Sequence, residues 1–365
     1  MLRRLLILAA LLVALVAVDR SQRDAAAERR QDALRVRAFV PAAQREGKSV
    51  AVVRVQDGDG SVHLYGREAG LWRCLDYRAA PALGDKLEPL ITGLFEAQGV
   101  VLSEKPQQPH DYGLDVPSMR TISLHGAGWT PKDPTGDQVV AIDVGAAVVG
   151  ADGCYARVRG EQAIWTIDVD PGAITGREPS ARPSLIDPAL VPAAWPGVAP
   201  RLQGIRVARA GQPAYQLEMR AREVSPEEAM QGVPGFEWIL KREGGAEEKT
   251  AFAPAVGYSS HVMSVPWAEV VDSSLAPTLG FDAPRAEVTL TGGGGDPCRL
   301  VLGGRTASGR LAVLNSVSRL VYEMDPAEEA LLFPAPEAFA EGATVNPWDT
   351  RSATPAAPSL SIPPR

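Results

Sequence analysis

The segment Asp111-Tyr112-Gly113-Leu114-Asp115-Val116-Pro117 occurs a second time in the chain, as Leu279-Gly280-Phe281-Asp282-Ala283-Pro284. The shared pattern is glycine, a large apolar residue, aspartate, a small apolar residue and proline. Further matches flank it on both sides. Upstream, Val53-Arg54-Val55 corresponds to Ile205-Arg206-Val207, and Trp72 and Trp238 precede their glycines at nearly equal spacing. Downstream, Ile122-Ser123-Leu124 corresponds to Val288-Thr289-Leu290, and Ile142-Asp143-Val144-Gly145 to Leu300-Val301-Leu302-Gly303. Ile164-Trp165 with Asp170-Pro171 then corresponds to Leu320-Val321 with Asp325-Pro326. Each match is weak alone. Their common order predicts a duplicated unit of roughly 120–150 residues, an ordinary domain size.

The repeated turn has a physical reading. Glycine permits positive φ, which suits a helix end or tight turn. Aspartate can accept hydrogen bonds from nearby backbone N–H groups, and proline starts an extended segment. The alternative makes Asp115 and Asp282 a ligand-binding or catalytic pair. A position shared by both copies is what a folding requirement produces. Gly113, Asp115, Pro117, Gly280, Asp282 and Pro284 are therefore expected to be a structural motif, with a capping hydrogen bond at each aspartate.

Around these turns the pattern predicts an α+β chain of two tandem repeats. Each repeat holds a β-hairpin and further strands, one packed helix and a β-meander, after an N-terminal membrane anchor helix. The first unit covers 49–170. It opens with strands at Val50–Val55 and Val62–Tyr65 around an Asp57-Gly58-Asp59-Gly60 turn, a strong hairpin signal. A strand carries Trp72, and Leu87, Leu90, Ile91 and Leu94 recur at helical spacing, with Asp85 as the expected cap. Strands at Val100–Leu102, Met119–His125, Gln138–Val144, Cys154–Arg159 and Ala163–Ile167 complete it, the last two as a hairpin. Residues 171–203 read as a proline-rich connector. The second unit covers 204–333, with an insertion around Arg222 to Pro234 and its helix expected at Pro266–Val271. Residues 334–365 are Ala/Pro-rich and read as a disordered tail.

Met1-Leu2-Arg3-Arg4 precedes an apolar run from Leu5 to Val18. Two basic residues before such a run mark a signal or signal-anchor over 1–20. No small-x-small cleavage site follows directly, which favours an uncleaved anchor over a cleaved signal, and no cysteine follows to carry a lipid. Residues 21–48 are rich in Arg, Asp, Glu and Ala and read as a polar stalk helix. The net charge of −7 argues against a nucleic-acid partner. Arginine outnumbers lysine and alanine is abundant, a composition typical of a GC-rich bacterial genome.

No catalytic constellation emerges. The three cysteines, Cys74, Cys154 and Cys298, form no Cys-x-x-Cys pair and fall at non-equivalent places in the repeat. They are expected to be buried free thiols. His63, His110, His125 and His261 show no metal-ligand spacing. His110 and Asp111 are adjacent, and in an extended segment they point to opposite sides. Asp57 and Asp59 lack the further ligands of a calcium loop, and Gly292–Gly295 is not followed by the Gly-Lys-Ser/Thr of a phosphate loop. No catalytic residue, metal site or cofactor is predicted, and no ligand-binding residue stands out.

The N-terminal anchor, Leu71-Trp72-Arg73, the Leu-rich helix and Tyr112-Gly113-Leu114-Asp115-Val116-Pro117 together resemble the DUF4340 family of bacterial envelope proteins. Ile142–Gly145, Tyr155–Val158 and Ile164-Trp165-Thr166-Ile167 extend the likeness, which covers about 50–330, the second unit being a more diverged copy. The proline-rich connector and the tail depart from that pattern. The family's function is unknown, and it offers no catalytic residues to carry over. The resemblance implies an envelope protein, some relatives standing near gliding-motility ABC-transporter components.

These observations predict a non-enzymatic, membrane-anchored scaffold outside the cytoplasm of a bacterium, single-pass in the inner membrane. Its expected partner is a protein of an envelope or transporter complex. The rival reading is an envelope ligand- or glycan-binding module, and a hydrolase ranks last.

Overall fold

Apolar residues alternating with polar ones recur in short runs along most of the chain, and this period of two is what the backbone follows. A computed structural model describes residues 35–349 apart from 69, 105–107, 117, 134, 177–181, 194, 196–201, 293–295 and 344–345. It is a mixed α and β structure, dominated by two antiparallel sheets with several short helices. The expected anchor over 1–20, the first half of the stalk (21–34), Pro117, part of the glycine run and the last part of the tail lie outside the described residues. Among the described residues no helix is long and apolar enough to cross a membrane. The chain divides into two units between Ile186 and Asp187.

The first unit contains strands β1 (Arg37–Ala38), β2 (Val52–Gln56), β3 (Val62–Glu68), β4 (Leu71–Cys74), β5 (Ala80–Pro81) and β6 (Gln98–Ser103). β7 (Arg120–His125), β8 (Gln138–Ala147), β9 (Cys154–Val158) and β10 (Ile164–Ile167) complete it. Their order in the sheet is β1-β6-β10-β9-β8-β7-β2-β3-β4-β5. Two short helices, α1 (Ala42–Arg45) and α3 (Pro171–Thr175), flank the long α2 (Gly84–Glu96). α2 buries Leu87, Leu90, Ile91 and Leu94, the i, i+3, i+4, i+7 stripe of an amphipathic helix. The Trp72 indole of β4 is buried and donates to Glu88 Oε1 of α2 at 2.7 Å, which ties the strand to the helix. Asp85 lies in the first turn of α2 without capping it through its side chain.

The second unit contains β11 (Leu202–Arg209), β12 (Gln212–Ala221), β13 (Phe236–Arg242), β14 (Glu247–Lys249) and β15 (Glu269–Val270). It continues with β16 (Ala286–Gly292), β17 (Cys298–Arg305), β18 (Leu311–Asn315) and β19 (Leu320–Met324). Their order is β14-β13-β12-β11-β16-β17-β18-β19-β15. The insertion around Arg222 to Pro234 holds the short helix α4 (Pro226–Met230). Taken strand by strand in chain order, this is the order of the first sheet without its extra edge strand β1.

The helix of the second unit is α5 (Phe252–Ser264), not the expected Pro266–Val271. α5 buries Pro254, Ala255, Tyr258 and Val262, while its exposed positions are Phe252, Ala253, Ser260 and Ser264, none of them charged. Residues 265–271 form an edge instead: Val265 and Trp267 are buried, Pro266 and Glu269 are exposed, and β15 pairs with β19. That is the period of a strand.

Three further expectations change. Residues 35–48 do not continue a stalk helix: Arg37 and Ala38 pair with Gly99 and Gln98, and Phe39 and Val40 are buried in the first unit. The proline-rich stretch is folded wherever it is described. Asp170 caps α3 by accepting from Ala173 N at 3.2 Å. Leu185 and Ile186 are buried in the first unit, where Leu185 O accepts from Leu83 N. In the second unit, Leu190, Val191 and Trp195 are buried, and Leu190 O accepts from Asn315 Nδ2. Prolines remove donors but leave the flanking leucines free to bury apolar area. The tail begins later than expected: Phe339 and Trp348 are buried, stacked at 5.4 Å between centroids, with Tyr258 of α5 beside both.

Candidate functional site

In the first copy of the repeated motif, a 3₁₀ turn over Pro109–Tyr112 ends at Gly113, which adopts the left-handed conformation at φ 66°. In the second, a 3₁₀ segment over Ser273–Leu279 ends at Gly280, at φ 73°. Each turn presses on a bulge of a neighbouring strand. The register of β8 against β9 shifts between Val144 and Ala147, and that of β17 against β18 between Leu302 and Arg305. A Cβ on Gly145 would lie 2.2 Å from Tyr112 O, and one on Gly303 2.5 Å from Leu279 O. The paired glycines are therefore demanded by close backbone approach.

The aspartates behave differently. Asp115 is half-buried and Asp282 exposed. Among the described residues neither carboxylate accepts a hydrogen bond; the bond at Asp115 is Met119 N to its backbone carbonyl, at 2.8 Å. Pro284 is half-buried after its turn.

The first unit buries charge that no motif announced. Arg120 on β7 donates through Nε to Asp57, and through Nη1 to Thr175 Oγ1 of α3 at 2.9 Å. Both charged residues are buried. Asp143 accepts from Thr121 Oγ1 at 2.9 Å and from Arg157 Nη2 at 2.8 Å. His125 is buried, its Nδ1 lying 3.2 Å from Gly136 O and its Nε2 without a partner among the described residues. Burial pushes its pKa below the usual value, and the Arg54 charge adds to this against Gly136 O and Asp137. Arg120 also lines a cavity of about 160 Å³ together with Gly113, Ser118, Gly145, Gly172 and Gly176.

Two groupings have the composition of catalytic sets. His63 Nδ1 lies 3.1 Å from Asp76 Oδ2, and Cys74 Sγ lies 3.4 Å from Asp76 Oδ1. Burial drives the Cys74 thiol pKa well up and the Asp76 charge adds to it, so the thiol stays protonated and donates to the carboxylate. His110 Nε2 lies 3.0 Å from Asp111 Oδ1, both exposed. Sequence reasoning separated these two on the assumption of extended backbone, whereas the 3₁₀ turn brings them to one side. Such an exposed pair contributes little.

A further concavity belongs to the second unit. Its volume is about 480 Å³ and it lies between the ends of β12 and β13 and the segment after Phe333. Gln212, Tyr215, Arg242, Glu243, Pro336 and Glu337 line it. Tyr215 donates its hydroxyl to Pro334 O at 2.8 Å, and Arg242 Nη1 donates to Glu337 Oε1 at 2.7 Å. That hydrogen bond holds the Glu337 carboxyl below its usual range. An apolar floor with a few fixed polar groups is how small-molecule sites are built. These residues share no spacing motif, and Glu337 falls in the stretch that reads as a tail. No sequence signal found them.

Cys74, Cys154 and Cys298 are free and buried, and the described residues hold no group of three or more His, Cys, Asp and Glu side chains placed to bind a metal. No family model, no curated protein and no solved structure matches the chain.

Proposed function

We propose that the chain is a membrane-anchored, non-enzymatic scaffold outside the cytoplasm, built from two copies of one α+β unit and serving as an accessory subunit of a bacterial envelope or ABC-transporter-type complex. One observation carries this reading: the two sheets repeat one strand order, with a left-handed glycine and a bulge glycine at corresponding places. A duplicated unit with the same joint in both copies is a device for presenting surface, and the apolar run Leu5–Val18 supplies the anchor. The likeness to the DUF4340 family points the same way. Affinity capture of the full chain from solubilised membranes tests it. Transporter subunits that co-purify stoichiometrically support the scaffold, and recovery of the chain alone removes it.

The 480 Å³ pocket of the second unit favours a second reading, an envelope module that binds a small ligand or glycan there. Under that reading, soluble envelope saccharides raise the melting temperature of the full chain, and Arg242→Ala removes the effect.

A further inference from the structure

Within the duplicated architecture, what the two copies share reports what the fold needs, and what only one copy has reports something else. The left-handed and bulge glycines are shared. The buried ion pair is not. The register of β2 against β7 places Asp57 opposite Arg120, one step beyond the pair Gln56 and Thr121. In the second unit, Arg209 stands opposite Ala286 at that step. Thr175 sits five residues after Asp170, and Ala330 sits five after Asp325. The second sheet therefore forms the same joint without the ion pair: an arginine stands in the place of Asp57, and alanines in those of Arg120 and Thr175. A buried ion pair adds little to stability relative to an apolar filling, so folding alone does not explain Asp57, Arg120 and Thr175.

The same place in the first unit is hollow. The cavity of about 160 Å³ is walled by Gly113, Gly145, Gly172 and Gly176, with Val144 and Ala146, and Ser118 stands exposed among its lining residues. Gly172 and Gly176 are two further features the second copy lacks, since Ala327 and Leu331 stand at those positions. Arg120 is 8 % exposed, and two of its three guanidinium nitrogens are engaged, Nε by Asp57 and Nη1 by Thr175. Nη2 donates to no group among the described residues. A guanidinium fixed on two sides by buried partners is preorganised for an oxygen acceptor on the third.

We propose that the cavity beside Arg120 is a binding site for a small carboxylate, with Arg120 Nη2 and the Ser118 hydroxyl as donors to its oxygens. Charge-assisted bonds from a guanidinium favour a carboxylate over a neutral amide. The volume is that of a few water molecules, which limits the ligand to a short-chain acid or the carboxylate end of a longer one. The comparison between copies rests on the duplication proposed above; the cavity and its donors do not.

The test uses the full chain in detergent and sodium acetate as the probe, with sodium chloride at equal ionic strength and acetamide as controls. Hydrogen–deuterium exchange read by mass spectrometry is expected to show saturable protection by acetate in peptides covering 113–120 and 144–146. Chloride and acetamide are expected to give none. Arg120→Lys keeps a cation beside Asp57 but lacks the third nitrogen, and it should lose the protection. Ser118→Leu crowds the cavity from an exposed position, and it should lose the protection at an unchanged melting temperature, which guards against misfolding of the first variant. Equal protection by acetamide, protection elsewhere in the chain, or unaltered protection in Ser118→Leu overturns the proposal. None of these results bears on the duplication, which is judged by the superposition of the two units in an experimental structure.

Discussion

At single positions, the glycines and the aspartates of the repeated motif part company. Gly145→Ala places a methyl group against a backbone carbonyl that cannot swing away. Overpacking of this kind costs about 1–3 kcal/mol, and chemical denaturation of Gly145→Ala and Gly303→Ala should show it in each unit. Asp115→Ala and Asp282→Ala should change stability by less than about 0.5 kcal/mol, as surface substitutions do, because no hydrogen bond is lost. A larger loss at Asp115 would mean that its carboxylate meets something outside the described residues. The motif was legible in the sequence, but the reason for it was not. Glycine could be read as a positive-φ residue, whereas the demand on Gly145 comes from a carbonyl more than thirty residues away in the chain. His125 makes a prediction in pH. Burial lowers its folded pKa below that of the unfolded chain, which is about 6.5. The unfolded chain therefore takes up the proton first. The stability that neutral His125 provides is whole above about pH 6.5 and declines as the pH falls through that value. Urea midpoints between pH 7.5 and 5 should fall more steeply for the parent than for His125→Gln.

Among the elements, the two tryptophans mark corresponding strands, β4 and β13, and both are buried. Truncating a buried aromatic costs about 3–5 kcal/mol, so Trp72→Ala and Trp238→Ala should each cost that order, measured by calorimetry. Trp72 is tied to its helix through Glu88, while the Trp238 indole N–H has no partner among the described residues. Phenylalanine should therefore be tolerated better at 238 than at 72. The strands and α2 could be read because their apolar periods are strong and their outer faces charged. α5 could not, since a helix whose exposed positions are Phe252, Ala253, Ser260 and Ser264 gives little contrast between its sides. Proline at 266 beside tryptophan and two valines imitates a helix start while forming an edge strand. The buried pair of Asp57 and Arg120 was hidden for another reason. Its members are brought opposite each other only by the pairing of β2 with β7.

For the whole chain, the division between Ile186 and Asp187 gives two units with separate cores. Calorimetry should resolve two transitions, Trp72→Ala lowering the first unit's and Trp238→Ala the second's; a single transition lowered equally by both would contradict this. The proposed anchor makes its own prediction: alkaline phosphatase joined after Arg35 should be active outside the inner membrane, and carbonate should not extract the full chain. A soluble cytoplasmic product would end that reading. The aromatic cluster of Tyr258, Phe339 and Trp348 has a consequence in time. As the chain leaves the ribosome or a translocation channel, the first unit has all its described parts once Ile186 is out. The second holds α5 beside an open hydrophobic face until residues 336–348 follow. During that interval the nascent second unit is the vulnerable half, and it is there that a chaperone would have to act.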